Sequence, residues 1–247
     1  MAIKTTFNYS PNFKPKKRRI KKIKFIIFHY TGMKKESGAI NKLTDIQSEV
    51  SCHYLIKNNG EIITMVPVSY TAWHAGKSSW KRCKLLNKNS IGIEITNPGH
   101  DFNYKKFTQK QIISLLKLSK ILIKKYKIIS KNILGHSDIA PERKKDPGEK
   151  FPWKYLSQNK VGLWHTIKKQ ELIKNRTIKT TKIEKEFFFN NLFKIGYSKK
   201  IPKGLNKGSY LRNVTKAFQR RFRQELVNDK IDQECLLISK NLLKRFN

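Results

Sequence analysis

The chain has 247 residues, 38% of them hydrophobic and 11% aromatic, enough apolar material to bury a core, which excludes a wholly disordered tail protein. Lys+Arg 54 against Asp+Glu 17 give a net charge of +37. Lysine supplies 44 of those cations and arginine 10, a bias that an A/T-rich genome produces as readily as selection for phosphate contacts.

Residues 1–22 read as a basic, extended lead-in; eight of the eleven residues Lys14–Lys24 are cationic, a pattern typical of solvated surface or a flexible arm. The run Phe25–Phe28 is too short for a secretory h-region and is interrupted by His29. The expected location is therefore cytoplasmic, with a periplasmic or wall-associated one as the alternative. Lys24–Tyr30, rich in β-branched and aromatic residues and closed by Thr31-Gly32, predicts a buried strand that ends in a histidine. Ile40, Leu43, Ile46 and Val50 give near-helical spacing over 38–50. Cys52–Ile56 and Glu61–Val66 flank Asn58-Asn59-Gly60, a hairpin signal. Ser90–Thr96 predicts another buried strand. Thr108 is a good N-cap for a helix carrying Ile112, Leu115, Leu118 and Leu122. Lys131–Leu134 leads into Gly135-His136, and a Pro/Gly-punctuated loop follows to Trp153.

Strands alternating with helices predict an α/β domain over residues 23–165. Residues 166–182 are polar and lysine-rich and read as a linker, and 183–247 read as a small helical domain. No apolar run approaches the ~18 residues of a membrane span. Cys52, Cys83 and Cys235, odd in number and far apart, imply no disulfide framework. No nucleic-acid module signature accompanies the charge, so no specific nucleic-acid partner is expected. The charge is read instead as steering toward a polyanionic substrate or surface.

His29 ends one strand, His136 opens a loop after another, and Asp146 lies ten residues further on. Two imidazoles and a carboxylate could supply a catalytic metal site with one position left for water, although a lone strand-end histidine is more often a hydrogen-bonded structural residue. The neighbouring motifs extend this pattern. Phe28-His29-Tyr30-Thr31, Trp73-His74-Ala75-Gly76, Ser90-Ile91-Gly92-Ile93-Glu94, Gly135-His136-Ser137-Asp138-Ile139-Ala140-Pro141, Arg143–Gly148 and Phe151-Pro152-Trp153 occur in that order. Over about residues 23–156 the chain resembles the type 2 N-acetylmuramoyl-L-alanine amidases, relatives of peptidoglycan-recognition proteins and phage lysozyme-type amidases. Within that group it resembles the cell-wall-recycling branch.

The resemblance implies a mixed central β-sheet flanked by helices. It implies zinc (Zn2+) held by His29, His136 and Asp146, with Glu94 as general base and Lys144 as oxyanion stabiliser. The implied reaction is hydrolysis of the amide between N-acetylmuramic acid, or its 1,6-anhydro form, and L-alanine. Partners would then be peptidoglycan fragments or muropeptides, met by a monomer. The alternative is a non-catalytic peptidoglycan-recognition module of the same fold. A glutamate inside the apolar strand Ile91–Ile95 is costly without a partner or a task, and the base role supplies one. Trp73 and His74 match a motif at the family's cleft and are assigned to substrate, with a hydrogen bond behind the metal as the second reading for His74. Asn97, three residues beyond Glu94, is assigned to substrate by position. His53 matches a structural histidine, and Cys52 stands where phage relatives carry a catalytic tyrosine. His100 and His165 have no constellation around them.

Residues 183–245, with Ala217-Phe218-Gln219-Arg220-Arg221-Phe222 at their centre, resemble a three-helix peptidoglycan-binding domain. Arg220, Arg221 and Arg223 are expected either to meet muropeptide carboxylates or to cover a solvated face.

Overall fold

The strands that the apolar runs predict lie together at the centre of a computed structural model describing residues 4–246. The first half of the chain comprises β1 (Thr6–Phe7), β2 (Phe13–Lys14), β3 (Phe25–Tyr30), α1 (Glu36–Thr44), β4 (Tyr54–Ile56), β5 (Ile62–Thr64), β6 (Thr71–Ala72), β7 (Ser79–Trp80), β8 (Cys83–Lys84) and β9 (Ser90–Ile95). The second comprises α2 (Gln109–Tyr126), β10 (Ile133–Gly135), α3 (His136–Ile139), α4 (Trp153–Gln158), α5 (Lys169–Asn175), α6 (Lys182–Ile195), α7 (Lys207–Phe222) and α8 (Gln233–Phe246).

Six strands form a mixed sheet in the order β1-β5-β4-β9-β3-β10. β3 runs parallel to both neighbours, β4 is parallel to β9, and β4 and β5 form the antiparallel hairpin. Side chains alternate across a strand, and β3 shows what each face meets. Ile26 and Phe28 join Leu115, Leu118 and Leu122 of α2, together with Phe151 and Trp153. Phe25 and Ile27 join Leu134, Ile139 and Trp80 against Phe188, Leu192, Val214, Phe218 and Leu242 of the last three helices. The sheet is therefore covered by helices on both faces. α2 begins with the capping box that Thr108 predicts, reciprocated by Gln111. α1 is shorter than its apolar spacing suggests, because Asp45 turns extended and its side chain caps a separate 3-10 turn at 46–48.

Two expectations about organisation change. The basic lead-in is strapped to the domain: β1 pairs with β5, Asn12 donates to the carbonyls of Asp45 and Val50, and Arg18 donates to those of Val68, Asn87 and Ser90. Residues 166–182 do not form a free linker either. Arg176 pairs with Glu225 and Glu234, Lys179 bridges Asp232, and Leu172 packs on the shared core.

Of the three arginines Arg220, Arg221 and Arg223, the last two do not cover a solvated face, while Arg220 is half-buried. Arg221, 1% exposed, donates to Asp138 and to the Ile133 carbonyl and lies over the Trp153 ring. Asp138 also accepts from Tyr197 Oη and from the Gly135 N–H. Arg223 pairs with Asp232. A buried charge left without its partner is strongly destabilising. Arg221→Met is accordingly expected to cost about 3–5 kcal/mol of stability, read as a lower urea midpoint. An unchanged midpoint would show that Asp138 is satisfied by Tyr197 and Gly135 alone.

Candidate active site

The carboxyl ends of three parallel strands deliver the polar residues. His29 on β3 sits in register opposite Glu94 on β9, and Gly135, which pairs with Phe28 across β3 and β10, hands the chain to His136. Such strand ends, where the chain turns out of the sheet, are the usual ligand-facing edge of parallel sheets. The loop bearing Asp146 folds back onto this edge through the Ser137 N–H, which donates to the Asp146 carbonyl at 2.8 Å. Position 135 must lack a side chain for that approach, since a Cβ there would lie 2.7 Å from Pro147 Cδ.

Three buried donor atoms converge. His29 Nδ1 lies 2.9 Å from His136 Nδ1 and 3.0 Å from Asp146 Oδ2, and His136 Nδ1 lies 3.1 Å from the same oxygen. Protons cannot satisfy two ring nitrogens and a carboxylate oxygen that all face one another, whereas a single cation can. All three donor atoms are close enough together to be held by one cation. The group fits a metal site, the only such cluster of His, Cys, Asp and Glu found among the described residues. Burial, reinforced by the charge of His136, pushes His29 down to about 4 against the pull of Asp146. Burial alone would raise the Asp146 carboxyl, but His136 and His29 outweigh it and hold it well below the usual range. Near neutral pH the site thus holds a neutral His29 imidazole beside the Asp146 carboxylate.

Glu94 opens on a cleft of about 310 Å³ that also exposes Tyr30, Lys42, Trp73, Lys144 and Asp146. Its Oε2 is buried with no hydrogen-bond partner. Burial, with a further push from the Asp146 charge, raises its carboxyl to about 8. The two adjacent lysines part company. Both line the cleft, but Lys145 is engaged there by Asp101, at 3.2 Å, whereas the charge of Lys144 acts on both Glu94 and His29.

Trp73, 37% exposed, stands on the cleft wall. Asn97 does not, and His74 reaches the cleft lining only as a buried side chain. His74 is 7% exposed, and its ring nitrogens are engaged by His29 Nε2 at 3.0 Å and Ser90 Oγ at 3.1 Å. Asn97 is 2% exposed, and its amide donates to the Lys105 carbonyl and accepts from the Gly99 N–H, bracing a loop. His53 is structural, accepting the Gly92 N–H at Nδ1. His100, which had no sequence neighbours to suggest a role, joins Tyr30 Oη to Glu149 at 2.8 and 3.0 Å. It thereby ties the cleft wall to the Asp146 loop. Arg143, inside a recognised motif but unassigned, donates to the carbonyls of Ala75 and Lys77. Cys52, Cys83 and Cys235 are all free thiols.

The family model described as N-acetylmuramoyl-L-alanine amidase matches residues 19–149. The N-acetylmuramoyl-L-alanine amidase AmiD of Escherichia coli is 35% identical over 237 residues, 91% of this chain and 84% of that one. The 1,6-anhydro-N-acetylmuramyl-L-alanine amidase AmpD of Haemophilus influenzae is 42% identical over 116 residues, 46% of this chain and 61% of its own. Among solved structures, that of AmiD from E. coli with anhydro-N-acetylmuramic acid-L-Ala-D-gamma-Glu-L-Lys superposes with a TM-score of 0.78 at 34% identity, covering 91% of this chain and 90% of that one. AmpDh3 from Pseudomonas aeruginosa, in complex with an anhydromuramic pentapeptide, gives a TM-score of 0.77 at 29% identity and 94% coverage of both chains. The match spans the sheet, the cleft and the helices behind them, and the chain belongs to the N-acetylmuramoyl-L-alanine amidase family.

Proposed function

We propose that this amidase cleaves the bond between the lactyl carboxyl of 1,6-anhydro-N-acetylmuramic acid and L-alanine in soluble muropeptides, with zinc held by His29, His136 and Asp146. The observation that carries the reading is the convergence of those three donors beside an unpartnered glutamate. Two imidazoles and one carboxylate are a ligand set that suits catalytic zinc. When bound, the cation supplies Lewis acidity toward water and the scissile carbonyl. Glu94 takes the proton of the attacking water at its carboxylate and passes it to the departing alanine nitrogen. Lys144 presents an ammonium to the oxygen on which negative charge develops, and Trp73 offers its indole face to substrate. Every residue invoked comes from one chain, so a monomer suffices. A recognition module would need neither a complete donor set nor a buried carboxylate, which favours hydrolysis.

The substrate half of the reading draws on AmiD and AmpDh3, whose structures hold anhydromuropeptides. The test is to incubate zinc-loaded protein with soluble anhydromuropeptide and with intact sacculi. Peptides with a free L-alanine amine are expected chiefly from the soluble fragment, and a chelator should abolish their release. Release from sacculi alone would overturn the substrate, and full activity without metal would overturn the site.

The divergence of the paired lysines gives an internal control. Lys144→Met should lower turnover by about 10²–10³, the usual loss when one oxyanion donor is removed, with little change in substrate affinity, because the oxyanion exists only in the transition state. Lys145→Met, which changes net charge equally, should do little. Equal losses that shrink as salt rises would mean long-range steering instead.

A further inference from the structure

We propose that the loop Trp73–Gly76 is the clamp that fixes the tautomers of both ligand histidines: His74 Nδ1 and the Ala75 carbonyl take the far N–H groups of His29 and His136, so each ring turns an unprotonated Nδ1 toward the cation. The inference rests on the metal reading above and deepens it.

The proton order follows from groups with no choice of role. Ser90 Oγ lies 2.6 Å from the Leu86 carbonyl, a separation at which the hydroxyl must donate, since the carbonyl has no proton. The hydroxyl lone pair then accepts from His74 Nε2, 3.1 Å away. A neutral imidazole protonated at Nε2 has Nδ1 as an acceptor. His74 Nδ1 lies 3.0 Å from His29 Nε2, so His29 carries its proton there and its Nδ1 is bare. On the other side His136 Nε2 lies 3.3 Å from the Ala75 carbonyl, which can only accept; Arg143 Nη2 is equally near, at 3.3 Å, but its two protons go to the carbonyls of Ala75 and Lys77. His136 is thereby also protonated at Nε2, with Nδ1 facing Asp146.

Adjacent residues of one loop thus serve both ligands, and the loop is held in turn. Asn87 Oδ1 accepts the backbone N–H groups of His74 and Ala75, at 3.1 and 2.6 Å. Arg143 donates to the second lone pair of the Ala75 carbonyl. Gly92 on β9 gives the ring its place: a Cβ there would lie 2.3 Å from His74 Cγ. With both nitrogens committed inside the protein, His74 is a positioning residue and not a substrate contact.

The test is zinc affinity of the full chain, measured by competition with a chromophoric chelator, with circular dichroism to follow folding. His74→Phe keeps a ring but loses the acceptor, and should bind zinc about 10–100-fold more weakly, the usual effect of removing such an outer partner. His74→Asn places an amide oxygen near the Nδ1 position and should restore most of the affinity. Gly92→Ala, which displaces the ring without touching a ligand, should weaken binding like His74→Phe. Nitrogen-15 spectra of the zinc-free wild type should show His29 protonated at Nε2. Wild-type affinity in His74→Phe, or equal losses in the Phe and Asn variants, would overturn the clamp. His29→Ala separates the two claims: if it keeps zinc, the ligand assignment fails; if it loses zinc while His74→Phe does not, only the clamp fails. Should His74→Phe not fold, the Asn variant and the nitrogen-15 assignment still decide.

Discussion

Glu94→Gln is expected to keep the fold and the metal while losing about 10²–10⁴ in turnover, the range typical of removing a general base. Glutamine is nearly isosteric with glutamate and cannot take the proton of the attacking water. The environment of Glu94 also predicts the pH behaviour. Burial, then the neighbouring Asp146 charge, raises its carboxyl to about 8. A cation held by His29, His136 and Asp146 opposes that rise, so the metal-loaded enzyme should lose activity toward acid with a midpoint below 8, as Glu94 becomes protonated. In Glu94→Gln this acid limb should disappear. Stability moves the opposite way in metal-free protein. A carboxyl whose folded value is raised costs stability once the pH exceeds its ordinary value, and the cost grows until the pH reaches the folded value. Metal-free Glu94→Gln should therefore unfold at a higher denaturant concentration than wild type at pH 7. Steady-state kinetics across pH and urea unfolding check both halves. A variant that keeps most of its rate places the base elsewhere.

The parts of the site legible in the sequence are those whose chemistry is set by their own strand. His29 and Glu94 interrupt or end apolar runs, and a polar residue there must be explained wherever the strand goes. The surroundings of His74 and Asn97 are not legible in the sequence, for the opposite reason. What they do depends on partners brought by other segments: Ser90 and His29 for the ring, the backbone of Gly99 and Lys105 for the amide. His100 shows the same limit, since Tyr30 and Glu149 lie 70 and 49 residues from it in the chain. The apolar spacing of α6, α7 and α8 predicts helices but not what they cover. Arg220-Arg221-Phe222-Arg223 reads like a solvated basic face, and only the fold supplies Asp138, 83 residues away, as the partner of Arg221.

That partner changes what truncation should do. A chain ending at residue 177 is expected not to fold, although a lysine-rich linker at 166–182 would have let the catalytic half stand alone. α6, α7 and α8 form the layer over one face of the sheet, and Phe25, Ile27, Trp80, Leu86, Leu134 and Ile139 are buried in the cluster they complete. Burying a side chain of this size contributes about 1.5–3 kcal/mol. Uncovering six of them removes on the order of 10 kcal/mol, comparable with the whole stability of an ordinary domain, about 5–15 kcal/mol. Asp138 would also lose Arg221 and Tyr197 together, and Asp138 accepts from Gly135, the residue that delivers His136. His29 shares the uncovered face of β3 with Phe25 and Ile27, so two of the three donors rest on this layer. The measurement is soluble yield, near-ultraviolet circular dichroism and zinc binding of residues 1–177, alone and co-expressed with 178–247. Rescue by the second fragment would show that the helices act as a structural layer of the amidase. A soluble 1–177 that binds zinc and cleaves muropeptides at the full-length rate would instead make them an appended module, and the shared core would then contribute far less than its buried area implies.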